Sequence, residues 1–290
     1  MNEFDIIKKF FRQQSNHRED VVLGGGDDCA LLKTPQDQLL AVSIDTLISG
    51  VHFPKDLAAY EIGYKSLAVN LSDLAAMGAE PAWFTCALSL PNFDENWCKD
   101  FARGLFDLAD QYHIELIGGD LTRSKILSIT IQVHGFIPEK SALRRDGAKS
   151  GDKIYISGKL GYGILKKYYH RPEPRINLGL ALRGKAHSAI DISDGLIADL
   201  SHILESSNLG ASIYIDKIPV VHEDALTSGD DYELCFTAPA ELKLESDPKL
   251  SIYNISCIGQ IESEKRLRVY KPDNTLWISE KLGYQHFSED

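Results

Sequence analysis

The chain has 290 residues, 43% of them apolar and 25% charged, with a formal net charge of −11. That length suits one large domain or two ordinary ones, and the acidity excludes a general binder of nucleic acid or of an anionic membrane. No apolar run approaches the roughly 18 residues of a membrane span, so a soluble protein whose anionic ligands arrive with cations is expected.

"MNEFDIIKKFF" lacks the apolar stretch of a signal peptide. The five cysteines, Cys29, Cys86, Cys98, Cys235 and Cys257, are scattered, with no C-x-x-C pair, which points to a reducing, cytoplasmic compartment. In chain order, "EFDIIKKFFRQ" predicts a short amphipathic helix, and "LLAVSID" (39–45) a strand ending in Asp45. A long helix is expected over 57–78, stopped by Gly78 with Pro81 beyond. Residues 83–90 read as a strand, 95–112 as a helix, 114–120 as a strand running into a glycine turn, and 126–137 as an alternating strand.

The polar stretch "PEKSALRRDGAKSGD" marks a boundary between residues 1–137 and 138–290. Beyond it come "KIYISG", a helix near "YGILKKYY", the proline-broken "HRPEPR", a strand–turn–helix in "SAIDISDGLIADLSHILESS", and the strands "ASIYID" and "YELCFTA". Strands and helices mix without strict alternation, so the fold class is α+β, or mixed α/β, rather than a doubly wound sheet.

Aspartates recur at strand ends or in the turns after them, in "GGGDDCALL", "VSIDT", "IGGDLT" and "AIDISDGL". In mixed sheets these are the places where ligands collect. A further pair, Asn70 and Asp73, shares one face of an otherwise apolar helix. Each acid alone has an ordinary explanation. Asp27 or Asp28 can cap a turn, and Ser193 or Asp194 can cap a helix while Gly195 eases the turn, each cap being worth about 1 kcal/mol. Together they are better explained by one acidic pocket. Two carboxylates 4 Å apart repel by about 4 kcal/mol at an effective dielectric near 20, so such a pocket needs cations. An all-oxygen donor set without His or Cys points to Mg²⁺, Mn²⁺ or Ca²⁺, and glycine turns leave room for phosphate at backbone N–H groups. The inference is Mg²⁺–nucleotide chemistry, without a Walker A motif or the protein-kinase signatures.

"LGGGDDCALL", "AVSIDTLISGVHF", "YKSLAVNLSDLAAMGAEPAW", "LIGGDLTR", "RDGAKSGDKIYISG", "RPEPRI", "AIDISDGLIADLSHI" and "SGDDYELCFT" follow one another in this order. Together they resemble the thiamine-monophosphate kinase family of the aminoimidazole-ribotide-synthetase-like superfamily. The resemblance implies two domains, the N-terminal one binding metal and ATP and pairing in a homodimer. It implies ATP-dependent phosphorylation of thiamine phosphate to thiamine diphosphate by direct in-line transfer, with several Mg²⁺ ions. By the same resemblance Asp28, Ser43, Ile44, Asp45, Asp73, Asp120, Asp191 and Asp194 would hold metal. Gly119, Asp120, Arg145 and Ser193 would contact ATP, and His52, Asp230 and Tyr284 the substrate. Asp73, Asp120 and Arg145 would be the catalytic set.

Three departures stand out. Ile44 replaces a usual Thr and can offer only its main-chain carbonyl. "SGDDYEL" puts Asp230 where the family has Glu. The C-terminal half is short around "KKYYHRPEP" and between Ile218 and Gly229. The alternatives are another ATP-dependent enzyme of the superfamily, of the cyclo-ligase or selenophosphate synthetase type, and a non-catalytic nucleotide-binding protein.

Overall fold

The computed structural model describes residues 2–14, 17–165, 171–242, 244 and 247–287. Its backbone forms two compact units. The first comprises Met1–Leu74, Ala79–Glu139 and His170–Glu173; the second comprises Ala75–Gly78, Lys140–Tyr169 and Pro174–Asp290.

In the first unit, α1 (Glu3–Ile6) starts at an Asn2–Asp5 capping box. It passes into a π-helical turn, Ile7–Phe11, where one continuous amphipathic helix is expected. The widened turn accompanies burial of Phe10 and an edge contact of Phe11 with Phe101 at 6.2 Å. Strands β1 (Val21–Leu23) and β2 (Leu31–Leu32) pair antiparallel and bracket the glycine–aspartate loop. Next come β3 (Gln38–Ile48), α2 (Ala59–Met77), β4 (Glu80–Leu90), α3 (Glu95–Gln111), β5 (Glu115–Arg123) and β6 (Ser128–Pro138). They build a four-stranded sheet in the order β3-β6-β4-β5. Its pairs are antiparallel except β4 with β5.

Helix α2 buries Leu67, Ala68, Leu71 and Leu74 at 1% exposure or less, which no isolated helix could sustain without packing. It stops where Gly78 takes φ +66, a conformation that costs glycine little.

Two expected strand ends move outward. Strand β3 continues past Asp45 to Ile48 because β6 partners it residue for residue, from Gln38 opposite Pro138 to Ile48 opposite Ser128. Strand β5 continues past a bulge at Ile117 through Gly118, Gly119 and Asp120 to Arg123, where a glycine turn is expected. There β4 supplies the ladder, with Cys86 opposite Gly119 and Ala87 opposite Asp120. Tertiary hydrogen bonding overrides the local turn preference of glycine at this point.

The second unit contains β7 (Lys153–Ile156), α4 (Tyr162–Leu165), α5 (Ile176–Leu182), β8 (Ser188–Asp191), α6 (Leu196–Ser207), β9 (Gly210–Tyr214), β10 (Leu234–Ala238), β11 (Ser256–Glu262) and β12 (Leu267–Tyr270). Its six-stranded sheet runs β12-β9-β11-β7-β10-β8, antiparallel except for β12 with β9. Ile154, Ile156, Ile190, Leu200, Ile203, Ile213 and Ile258 form its core, each worth about 1.5–3 kcal/mol when fully buried.

The helix expected near "YGILKKYY" is present as α4; residues 166–170 lie outside the described residues. Helix α5, a short element, has no clear sequence signal. Arg175, at its N-terminal boundary, grips Glu233 through both carboxylate oxygens at 2.8 and 2.6 Å, and the Ser157 hydroxyl donates to the same carboxylate at 2.5 Å. Removing either partner would strand a buried charge. Among the described residues, no helix is long and apolar enough to cross a membrane.

Candidate functional site

In the first unit a cavity of about 920 Å³ is lined on one side by the loop Gly24–Asp28 and on the other by Gly118, Gly119 and Asp120, with Arg12 and Cys86 also on its wall. Within the loop the Asp28 N–H donates to Asp27 Oδ1 at 2.9 Å. Asp28 and Asp120 are exposed, and neither carboxylate has an ion pair among the described residues.

A second group of predicted residues gathers where β3 meets α2. The Ser43 hydroxyl donates to Asp73 Oδ2 at 2.5 Å. The Asp45 N–H donates to Asn70 Oδ1 at 3.0 Å, and the fully buried Asn70 anchors its amide on Ser66 O at 2.9 Å. Strand alternation puts Ser43 and Asp45 on one face and Ile44 on the other. Ile44 is 57% exposed, and since its alkyl side chain has no donor atom, its carbonyl is the one group it could offer a metal. Cross-strand register puts Asp45 and Gly119 in one row: Asp45 opposite Ile131, Ile131 opposite Cys86, and Cys86 opposite Gly119. Asp120 falls in the next row. His52 Nδ1 accepts the Ile48 N–H at 3.0 Å, which leaves Nε2 to carry the proton of a neutral ring.

In the second unit, Asp191 ends β8, and Ser193 and Asp194 occupy the loop before α6. The Asp230 N–H donates to Ser193 O at 2.8 Å and the Tyr284 N–H to Asp194 O at 2.9 Å. Four predicted residues thus share one loop cluster. Arg145 lies apart at an exposed 3₁₀ turn, its carbonyl accepting from the Ser207 hydroxyl at 2.9 Å.

The helix start differs from the expected Ser193 or Asp194 cap. The N-cap is Gly195, with no side-chain hydrogen bond. The N–H groups of the loop leading into the helix go to a residue the sequence reading passes over. Asp199 Oδ2 accepts the N–H groups of Ser193, Asp194 and Gly195 at 3.1, 3.1 and 3.0 Å. Burial pushes the Asp199 carboxyl up to about 7, and the nearby Asp194 charge adds to this. Asp231, likewise passed over, accepts from the Gly161 and Tyr162 N–H groups at 2.9–3.1 Å, and burial pushes it up to about 7 as well. The available signal for both was an acid inside an otherwise apolar run, in "DGLIADLSHIL" and "DDYELCF".

Among the described residues, no three His, Cys, Asp or Glu side chains are grouped so as to hold an ion by themselves. The donor set nevertheless suits Mg²⁺: exposed carboxylate oxygens on a glycine loop, with no cation paired to Asp28 or Asp120. Mg²⁺ ordinarily takes one or two carboxylates and completes its shell with water and substrate phosphates.

Two family models match the sequence: AIR synthase related protein, N-terminal domain, over residues 26–137, and AIR synthase related protein, C-terminal domain, over residues 170–272. The chain is 44% identical to the thiamine-monophosphate kinase of Escherichia coli (strain K12), with 99% of this chain and 98% of that one covered. It superposes on the crystal structure of thiamine-monophosphate kinase from Stenotrophomonas maltophilia K279a with a TM-score of 0.82 and 43% identity, covering 91% of this chain and 95% of that one. Against "AaThiL complexed with AMPPCP and TMP" the TM-score is 0.77 at 27% identity, over 98% and 96% of the two chains.

Proposed function

The chain belongs to the thiamine-monophosphate kinases of the AIR synthase related family, and from that premise we propose that it transfers the γ-phosphoryl group of ATP to thiamine phosphate, yielding thiamine diphosphate and ADP. The observation that carries this reading is the cavity walled by Gly24–Asp28 and Gly118–Asp120. It joins backbone that a phosphate can approach to the carboxylates of Asp28 and Asp120, which form no ion pair among the described residues, and Arg12 on the same wall supplies positive charge beside the loop.

The transfer is in line. A terminal oxygen of thiamine phosphate attacks the γ-phosphorus, the bond to the β–γ bridging oxygen breaks, and ADP leaves. The attacking oxygen is already ionised near neutral pH, because the second pKa of a phosphate monoester is about 6. No strong general base is needed, and positioning and charge neutralisation supply the catalysis. In the first unit, Asp28, Ser43, the Ile44 carbonyl, Asp45, Asp73 and Asp120 would hold Mg²⁺, with Gly119 and Asp120 against ATP and His52 toward the substrate. In the second, Asp191 and Asp194 would hold Mg²⁺, Ser193 and Arg145 would contact ATP, and Asp230 and Tyr284 would contact thiamine phosphate. Several Mg²⁺ ions, when bound, would supply neutralisation of the phosphate charge.

Incubation of the protein with ATP, Mg²⁺ and thiamine phosphate is expected to yield thiamine diphosphate and ADP in equal amounts, with turnover abolished by EDTA and restored by added Mg²⁺. ADP release with an aminoimidazole precursor in place of thiamine phosphate would favour a cyclo-ligase. Nucleotide binding without any ADP release would favour a non-catalytic protein.

Residues 1–137 are proposed as the metal- and ATP-binding domain that pairs with a second copy of this chain, and 138–290 as the C-terminal α+β domain. The pairing is supported by β3, an edge strand that exposes Leu40, Val42 and Ile44 on one face at 46%, 50% and 57%. An apolar edge strand left bare invites association. Val42→Asp is expected to convert a dimer to a monomer in sedimentation velocity. An unchanged dimer would place the interface elsewhere.

A further inference from the structure

Asp199 is 2% exposed and Asp231 is 6% exposed. A buried carboxylate is costly unless hydrogen bonds compensate it, and a helix start can be capped for about 1 kcal/mol by a solvent-exposed Ser or Asp instead. Each of these acids spends its acceptors on the backbone of one short segment. Asp199 gathers three successive N–H groups, Ser193, Asp194 and Gly195. Asp231 takes those of Gly161 and Tyr162.

The segment carrying Asp231 is itself strained. Asp230 and Tyr232, which flank it, both have positive φ, at 73° and 54°. Non-glycine residues there cost on the order of 1–3 kcal/mol each and persist only when their surroundings over-determine them. The surroundings do so here. The Asp230 N–H donates to Ser193 O and the Tyr232 N–H to Ile192 O, each at 2.8 Å. The two segments therefore lock onto each other, and each is fixed from behind by one buried carboxylate.

We propose that Asp199 and Asp231 are positioning residues: Asp199 sets the backbone that presents Ser193 and Asp194, and Asp231 sets the strained backbone that presents Asp230. The inference rests on the phosphoryl-transfer reading for what those residues bind, and on geometry alone for the locking. Neither acid needs to touch ligand. The roles differ, so the effects should separate: Asp199 acts toward the cation and Asp231 toward the acceptor phosphate ester.

The test uses the full chain with Asp199→Asn and Asp231→Asn, checked for folding by circular dichroism. Mg²⁺ half-saturation is measured both by calorimetry with a non-hydrolysable ATP analogue and by turnover, and KM is measured for thiamine phosphate. Asp199→Asn is expected to weaken Mg²⁺ half-saturation by roughly 10–100-fold, the range for losing an outer-shell partner, with KM for thiamine phosphate little changed. Asp231→Asn is expected to raise that KM by about tenfold, with Mg²⁺ half-saturation little changed. A fall in kcat alone, with every half-saturation unmoved, would mark both acids as merely structural and overturn the proposal, as would identical shifts from the two variants.

Hydrogen exchange on the unmodified protein does not depend on the variants folding. The amides of Ser193, Asp194 and Gly195 should exchange as slowly as those within α6, and free exchange there overturns the locking. If the unmodified protein makes no thiamine diphosphate, the functional reading fails, while calorimetry and exchange at Ser193–Gly195 still decide the role of Asp199, and exchange at Gly161 and Tyr162, slow if Asp231 holds them and free if it does not, decides that of Asp231.

Discussion

Asp73→Asn is expected to lower kcat for thiamine diphosphate formation by roughly 10²–10³-fold, the scale of losing one preorganised electrostatic contact at a transition state, while the protein stays folded. Asn matches Asp in size and keeps an oxygen, so the Ser43 hydroxyl retains an acceptor in place of Asp73 Oδ2. What disappears is the negative charge. The hydrogen bond from Ser43 becomes neutral and loses about 1 kcal/mol of its charge assistance. Neighbouring Asn70, which holds the Asp45 N–H, is untouched, so the β3–α2 junction keeps its shape. Steady-state kinetics with a thermal melt separates the two outcomes: a kcat within twofold of the unmodified protein would remove Asp73 from the catalytic set.

Gly119→Ala is expected to abolish ATP binding and to lower Tm by about 5–15 °C, for a destabilisation of roughly 2–4 kcal/mol. A Cβ at Gly119 would stand 1.9 Å from the Cys86 carbonyl oxygen and 2.8 Å from its carbon. Both are backbone atoms of β4, so no side-chain rotation relieves the clash, and β5 must part from its ladder partner. The disturbed stretch carries Asp120 and forms one wall of the cavity. Gly118→Ala is the internal control for folding, because a Cβ there meets nothing within 4 Å. Its Tm should match that of the unmodified protein. Equal Tm values for the two variants would show that the β4–β5 approach is looser than described.

The contrast between these neighbouring glycines shows what local sequence can and cannot say. "LIGGDLT" reads as a turn because glycine is the commonest turn former; only the β4 ladder makes it a strand. Asp45 reads as a strand end for the same reason, since nothing within "VSIDT" announces that β6 will pair with residues as far as Ile48. The acids of the candidate site are nonetheless legible, because a carboxylate inside an apolar run contradicts burial and is visible without a fold. Asp199 and Asp231 broke the same rule and were passed over, since each sat beside a motif that already had an explanation.

Order, composition and periodicity were enough to determine the α+β class, the two-part organisation, and most helices and strands. These are properties of the chain taken a few residues at a time, where side-chain chemistry and spacing act directly. Tertiary structure alone decided that Ser43 meets Asp73, that Gly119 must remain without a side chain, and that two buried carboxylates hold the Ser193–Gly195 and Gly161–Tyr162 backbones. Those outcomes depend on which distant backbone groups arrive within hydrogen-bonding reach, and that is set by strand register and packing between segments far apart in the chain.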